Sequence, residues 1–164
     1  RYRPCRWTMS HHVSPFGAVF TGVTDIPAIQ QIVYSSRPFG FDDAMLNGVL
    51  VDARRCNARD GVSGALICRQ DVYLQLLEGP EGMLQNTFAR IQRDDRHLEV
   101  TMRASGFVRS RMFGDWTMFH DPAKSRIWSA AEVADGALDR ASSEDYIKIF
   151  EQLAEDANLS DRGA

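Results

Sequence analysis

The 164-residue chain has little cysteine, no excess of positive charge and no long apolar run, and each shortage closes off a class of protein. Its three cysteines, Cys5, Cys56 and Cys68, are an odd number without a C-x-x-C pair. That argues against a disulfide framework and for a reducing compartment, so a cytoplasmic location is expected. A net charge of -3, from 19 Lys and Arg against 22 Asp and Glu, provides no basic face of the kind nucleic-acid partners require. No window approaches the roughly 20 apolar residues of a membrane span. The N-terminal residues also lack the uninterrupted apolar stretch of a secretory signal. What is present is ordinary globular material, with 44% apolar and 25% charged residues, enough for one domain with a hydrophobic core and short extras at its ends.

Residues 1–22 mix Pro, Gly and Ser with aromatics, show no period and read as an irregular arm; His11–His12 has no third metal ligand nearby. Residues 23–121 read as a domain and 122–164 as a helical extension. From Ile29, the run IQQIVYSS predicts a strand with Ile32, Tyr34 and Ser36 on one face and Val33 on the other. Pro38 and Gly40 break it. FDDAMLNGVLVDARRCN, residues 41–57, predicts a helix capped by Asp42. Phe41 and Leu46 have the spacing of a hydrophobic staple, and Met45, Leu46, Val49, Leu50 and Ala53 form the apolar stripe. Asp60–Gly61 marks a turn, after which VSGALIC and VYLQLLEG, joined by RQD, predict a hairpin.

Pro80 opens a second helix with Met83, Leu84, Thr87, Phe88 and Ile91 on its stripe. Two strands are expected next, EVTMRASGFV and a segment around WTMF. The order βαββαβ plus one strand, with right-handed crossovers, predicts an α+β, ferredoxin-like βαββαββ sheet with two helices on one face, followed by C-terminal helices. In that extension Ser129-x-x-Glu132 is a capping-box pattern, Gly136 interrupts, and Ser142 or Ser143 caps a stronger helix. Tyr146, Ile149, Phe150, Leu153 and Ala154 give this helix one apolar face, to cover either the free side of the sheet or a second subunit.

Three uncharged polar residues fall where an apolar layer is expected. Gln75 interrupts VYLQLLEGP, Tyr34 sits on the first strand, and Asn57 lies just beyond the first helix. A buried amide or phenol needs a partner. These groups satisfy one another, backbone or water, or together they hold a polar, planar ligand between the helices. Other candidates carry less. The run Arg90, Arg93, Asp94, Asp95, Arg96 reads as a solvated helix end, and Arg109 and Arg111 are expected to face solvent. Glu78 is expected to cap the second helix, where negative charge is favoured. Asp52 and His120 have no triad or metal spacing.

The blocks IVYSSR (32–37), RCNARDGVSGAL (55–66), YLQLLEGP (73–80), RIQRDDRH (90–97) and FGDWTM (113–118) resemble those of the BLUF domain, the flavin-binding blue-light sensor module. Tyr73 stands where that family usually has Phe. The resemblance implies a non-enzymatic photoreceptor that binds FAD, with FMN or riboflavin as alternatives. It places Tyr34 as electron and proton donor, Gln75 as the bridge between that tyrosine and the flavin, and Asn57 on the ring's polar edge. Asp94, Arg96 and His97 fall near the ribityl and phosphate part, and Val49, Leu66 and Ile91 in the apolar wall. Trp116 and Met118 match a mobile pair on the last strand. Cys56 falls where some relatives carry His or Asn, and is expected to be a wall residue.

The residues after Asp121 are too few for a cyclase or phosphodiesterase, so the resemblance implies a signal passed to a separate protein or through a homo-oligomer. A flavin-dependent oxidoreductase is the alternative from the enzyme class, but no GxGxxG loop is present. An RNA-binding βαββαβ module would need outward aromatics on its central strands and a basic surface. SGALICR and YLQLLEG supply neither.

Overall fold

The run Ile32–Val33–Tyr34, buried on both of its faces, centres the first strand of a computed structural model that describes residues 28–122 and 127–161. The irregular arm expected over residues 1–22 lies outside the described residues. Strand β1 (Ile29–Pro38) is followed by helix α1 (Asp43–Asp60), strands β2 (Ser63–Cys68) and β3 (Tyr73–Gly79), helix α2 (Glu81–Gln92), and strands β4 (His97–Val108) and β5 (Phe119–Asp121). Helices α3 (Ala130–Ala134), α4 (Ala137–Arg140) and α5 (Ser143–Asp161) complete the order. The sheet runs β4-β1-β3-β2-β5. The first four strands pair antiparallel, and β5 adds to the β2 edge in parallel. This is the ferredoxin-like arrangement with a fifth strand.

Helix α1 begins as expected: Asp42 accepts a hydrogen bond from the Met45 amide at 2.7 Å, and Phe41 packs in the same cluster as Leu46. It ends later than expected. The chain stays helical to Asp60 and stops at Gly61, whose φ of 64° is a left-handed value that glycine adopts without strain. Asn57 therefore lies inside the last turns of α1, not beyond it. Gly64 in β2 is required for a different reason, since a Cβ there would come within 2.0 Å of the Leu76 carbonyl oxygen.

The two faces of the sheet have separate cores. Ile32, Tyr34, Leu66, Tyr73 and Leu77 pack with Leu46, Val49 and Leu50 of α1 and with Leu84 and Phe88 of α2. Val33, Ala65, Ile67, Leu74 and Leu76 pack with Tyr146, Phe150, Leu153 and Ala154 of α5. Full burial of each such Leu or Ile contributes about 1.5–3 kcal/mol, so both layers are substantial cores. The open alternative for α5 is settled in favour of the sheet. Ser142, not Ser143, caps it by accepting from the Asp145 amide at 3.2 Å. Ser129 and Glu132 form the capping box of α3.

Three expectations fail here. Met83 is exposed, because the buried stripe of α2 is narrowed to Leu84, Thr87 and Phe88. The last strand is Phe119–Asp121 rather than a run centred on Trp116–Phe119, since pairing with β2 begins only at Phe119. Glu78 caps nothing: Pro80 occupies the α2 N-cap without a side-chain bond. The Glu78 carboxylate is instead fully buried and accepts from Gln31 Nε2 at 2.7 Å, the Met112 amide at 2.7 Å and the Phe113 amide at 2.9 Å.

Candidate functional site

Tyr34 and Gln75 face each other across the β1–β3 ladder on the side covered by α1 and α2. The Tyr34 hydroxyl donates to Gln75 Oε1, and Gln75 Nε2 in turn points at the Met118 sulfur at 3.3 Å. All three side chains are buried. Burial holds the Tyr34 hydroxyl well above the ordinary phenol range, with the negative charge of Asp94 adding to the effect, so it stays a protonated donor. Gln75 is thus satisfied at both ends of its amide by uncharged groups, which makes its orientation a matter of two neutral contacts.

Helix α1 holds the backbone that carries Met118. Asn57 Nδ2 donates to the Thr117 carbonyl at 2.8 Å, and Arg54 Nε donates to the Met118 carbonyl at 3.3 Å. The Gly64 amide of β2 donates to the Trp116 carbonyl at 3.0 Å. Segment 116–118 is therefore pinned by three backbone contacts before β5 starts. Met118 belongs to the layer beneath α1 and α2, whereas Trp116 packs in the α5 layer against Phe119, with ring centroids 4.9 Å apart. In a strand, residues 116 and 118 would share a face. They do not, because the chain is irregular until Phe119.

Farther along the same layer, Ser36 Oγ lies 2.9 Å from His97 Nδ1. The His97 ring meets Tyr34 edge-on at 6.2 Å and Tyr73 at 5.4 Å. Burial lowers the His97 pKa to about 4 against the opposing pull of Asp94, so the ring is neutral at pH 7. At the mouth of the layer, Arg96 Nη2 and Nε bind Asp94 at 2.6 and 2.9 Å, and Nη1 reaches Asp52 of α1 at 3.1 Å. That guanidinium spans the gap between the end of α2 and the side of α1. Gly48 of α1 lies beneath it, where a Cβ would make ordinary contact with Nη1 at 3.7 Å.

Of the residues singled out in the sequence, Tyr34, Asn57, Gln75 and Met118 come together, with Val49 and Leu66 buried beside them and Ile91 partly buried. Asp94, Arg96 and His97 sit at one end of the same layer. Cys56 is buried next to Asn57 in α1. Trp116 is not brought to the polar cluster. Arg54, Asp52 and Ser36 belong to the site although their side chains carry no distinguishing pattern. Arg111 is not a solvent-facing side chain: it donates to Ser63 Oγ and to the carbonyls of Glu78 and Gly61. His120, without a triad or metal spacing, lies 3.0 Å from Cys68 Sγ at the sheet edge, and burial pushes that thiol up to about 11.

Comparison with known proteins matches this architecture. Photoactivated adenylate cyclase subunit beta of Euglena gracilis is 30% identical over 99 residues, covering 60% of this chain and 11% of that protein. Its subunit alpha is 31% identical over 98 residues, covering 60% and 10%. The chain thus spans about a tenth of the length of the curated relatives it matches. Among solved structures, BlrB, a BLUF protein in its dark state, superposes with a TM-score of 0.66 at 26% identity, covering 80% of this chain and 98% of that one. BlsA in its photo-activated state, at 19% identity and a TM-score of 0.57, covers 77% and 94% and shows the same fold. The model of the family described as sensors of blue light using FAD matches residues 29–119, and the chain belongs to that family, BLUF.

Proposed function

We propose that this domain is a photoreceptor whose output is set by the orientation of the Gln75 amide, with FAD held in the layer between α1, α2 and the sheet. The observation that carries the reading is the buried Tyr34–Gln75–Met118 chain. The residues present fit a flavin. The layer is lined by neutral donors and acceptors on Tyr34, Asn57, Gln75, Ser36 and His97, its mouth carries the Arg96 cation, and the buried Tyr73 hydroxyl has no protein partner among the described residues. Asn57 and Gln75 would hold the polar edge of the ring, and Val49, Leu66 and Ile91 its apolar faces. Arg96, positioned by Asp94, would hold a phosphate, with His97 beneath. Bound FAD would supply absorption of blue light and an excited state that accepts an electron.

Tyr34, whose hydroxyl donates to Gln75 Oε1, would be the electron donor to that state, its proton leaving along this hydrogen bond and both electron and proton returning to Tyr34 afterwards. Half a turn of the Gln75 amide exchanges its donor and acceptor ends. Nε2 would then donate to the Tyr34 oxygen, and Oε1 would face a sulfur that offers no hydrogen. Met118 loses its contact in that orientation, so the two states differ at segment 116–118 without any change of net charge. Because Trp116 and Phe119 lie in the opposite layer, the change reaches Phe113, stacked on Phe119 at 6.1 Å, and then Phe150 of α5 at 6.5 Å.

The signal passes from there to a separate partner protein or through a homo-oligomer in the cytoplasm. Among the described residues no helix is long and apolar enough to cross a membrane. The relatives named above, photoactivated cyclases among them, favour this reading over a flavin-dependent oxidoreductase. Reconstitution with FAD, FMN and riboflavin tests it: FAD is expected to bind, colour the protein and give a light-dependent spectrum. A protein that rejects all three would overturn the proposal.

A further inference from the structure

Three buried side-chain oxygens lack a hydrogen-bond partner among the described residues, on Gln30, Tyr73 and Asp121. The Tyr73 hydroxyl stands apart because of its place. Tyr73 opens β3 two residues before Gln75, on the same face, so the two side chains are about 6.6–6.8 Å apart along the strand. It pairs in register with Ser36 on one side and Cys68 on the other, and its ring lies 5.4 Å from His97. Burial raises its hydroxyl above the ordinary phenol range, and the Arg96 guanidinium pulls the other way. The side chain itself is fully buried.

An unpartnered buried hydroxyl is a net cost to a fold, and phenylalanine would fill almost the same volume without it. We propose that the Tyr73 hydroxyl is a cofactor-positioning group that hydrogen-bonds the ribityl chain of a bound flavin. This rests on the flavin reading given above. On that reading the ring's polar edge is held at Gln75 and Asn57, and the anionic end at Arg96. Tyr73 lies on this layer between Gln75 and His97 and is the side chain there left without a partner among the described residues, so it would be placed to meet the polyol that joins the two ends. Ribityl hydroxyls donate and accept, as a phenol does, so the two are complementary. Tyr73 would then discriminate flavins that carry the polyol from the bare tricyclic ring.

Tyr73→Phe separates this role from a structural one. Binding of FAD, riboflavin and lumiflavin, which has the ring and no ribityl chain, is followed by flavin fluorescence on the full chain, together with thermal unfolding of the flavin-free protein. The expected result is binding of FAD and riboflavin weakened about 3- to 10-fold, the range of one neutral hydrogen bond, with lumiflavin affinity unchanged and the flavin-free protein no less stable. Equal affinity of the two proteins for all three flavins would overturn the inference, as a water-filled contact would give that result. Equal weakening for lumiflavin would also overturn it, by placing the contact on the ring. A lower unfolding temperature of the flavin-free variant would do so too, by revealing an internal partner. If the unmodified chain binds none of the three, the flavin reading itself fails.

Discussion

The Gln75 amide nitrogen lies 3.3 Å from the Met118 sulfur, at the far end of a contact that begins at the Tyr34 hydroxyl. Sulfur is a weak acceptor, so this end of the amide is held less firmly than the end bonded to Tyr34. Turning the amide would give up this weak contact at its sulfur end, and the burial of Gln75 keeps water from replacing it.

Replacing Gln75 by Leu removes the centre of that chain and leaves the volume nearly unchanged. The Tyr34 hydroxyl is then buried without its partner, a cost of about 1–3 kcal/mol, so the denaturation midpoint should fall modestly. Flavin should still bind, through Asn57, Arg96 and the apolar wall, but its spectrum should no longer shift under blue light. A variant with a normal photocycle would exclude Gln75 from the switch.

Glu78 makes a second prediction, independent of flavin. Its carboxylate accepts three N–H groups, two of them from the backbone at Met112 and Phe113. Glu78→Ala leaves these donors unpartnered in the interior, with a penalty of about 3–5 kcal/mol by the cost of stranding several buried donors. Urea denaturation measures this directly, and a loss within about 0.5 kcal/mol, the range of ordinary surface substitutions, would contradict the assigned anchor.

Much of this was legible before the structure. Period-two alternation put Tyr34 with Ile32 and Ser36 on one face of β1 and marked Gln75 as an amide inside a buried strand without giving its layer, and the Asp42 cap with its Phe41–Leu46 staple placed the start of α1. What escaped the sequence depended on contacts between distant segments. Glu78 precedes a helix, so local reasoning assigns it the cap, yet its three partners lie 34, 35 and 47 residues away. Trp116 and Met118 have the parity of a single face, but an irregular backbone turns them to opposite layers. A three-residue strand such as Phe119–Asp121 is too short to show a period at all. Arg96 was assigned through resemblance, whereas its bridge to Asp52 depends on the approach of two helices.

Acidification should destabilise the fold through His97. Its pKa falls from 6.5 to about 4 in the folded state, so the unfolded chain binds the proton first as pH drops. The stability conferred by the neutral ring is complete above about pH 6.5 and is lost progressively toward pH 4, by up to about 3 kcal/mol at 1.36 kcal/mol per unit. His120, also lowered by burial and by Arg54, titrates in the same direction. The unfolding temperature should therefore drop between pH 6.5 and 4, with a shallower slope in His97→Gln. Superimposable profiles for the two proteins would contradict the buried, neutral ring.

Phe150 lies fully buried against Phe113, so α5 is a covering element of the sheet as well as the end of the proposed route outward. Phe150→Ala should cost about 3–5 kcal/mol in equilibrium unfolding. Where the variant remains folded, flavin affinity should be kept, because the residues proposed to hold the cofactor lie in the opposite layer. An unchanged stability accompanied by a change in oligomer mass would instead place Phe150 in an intersubunit contact.

The most direct test is the light-minus-dark absorption spectrum of the FAD-loaded protein, recorded for the unmodified chain and for Tyr34→Phe. A small red shift that reverses in darkness is predicted for the first, and a flavin spectrum without that shift for the second. An unmodified protein that binds FAD and shows no shift, or a Tyr34→Phe variant that shifts equally, would contradict the Tyr34–Gln75 switch.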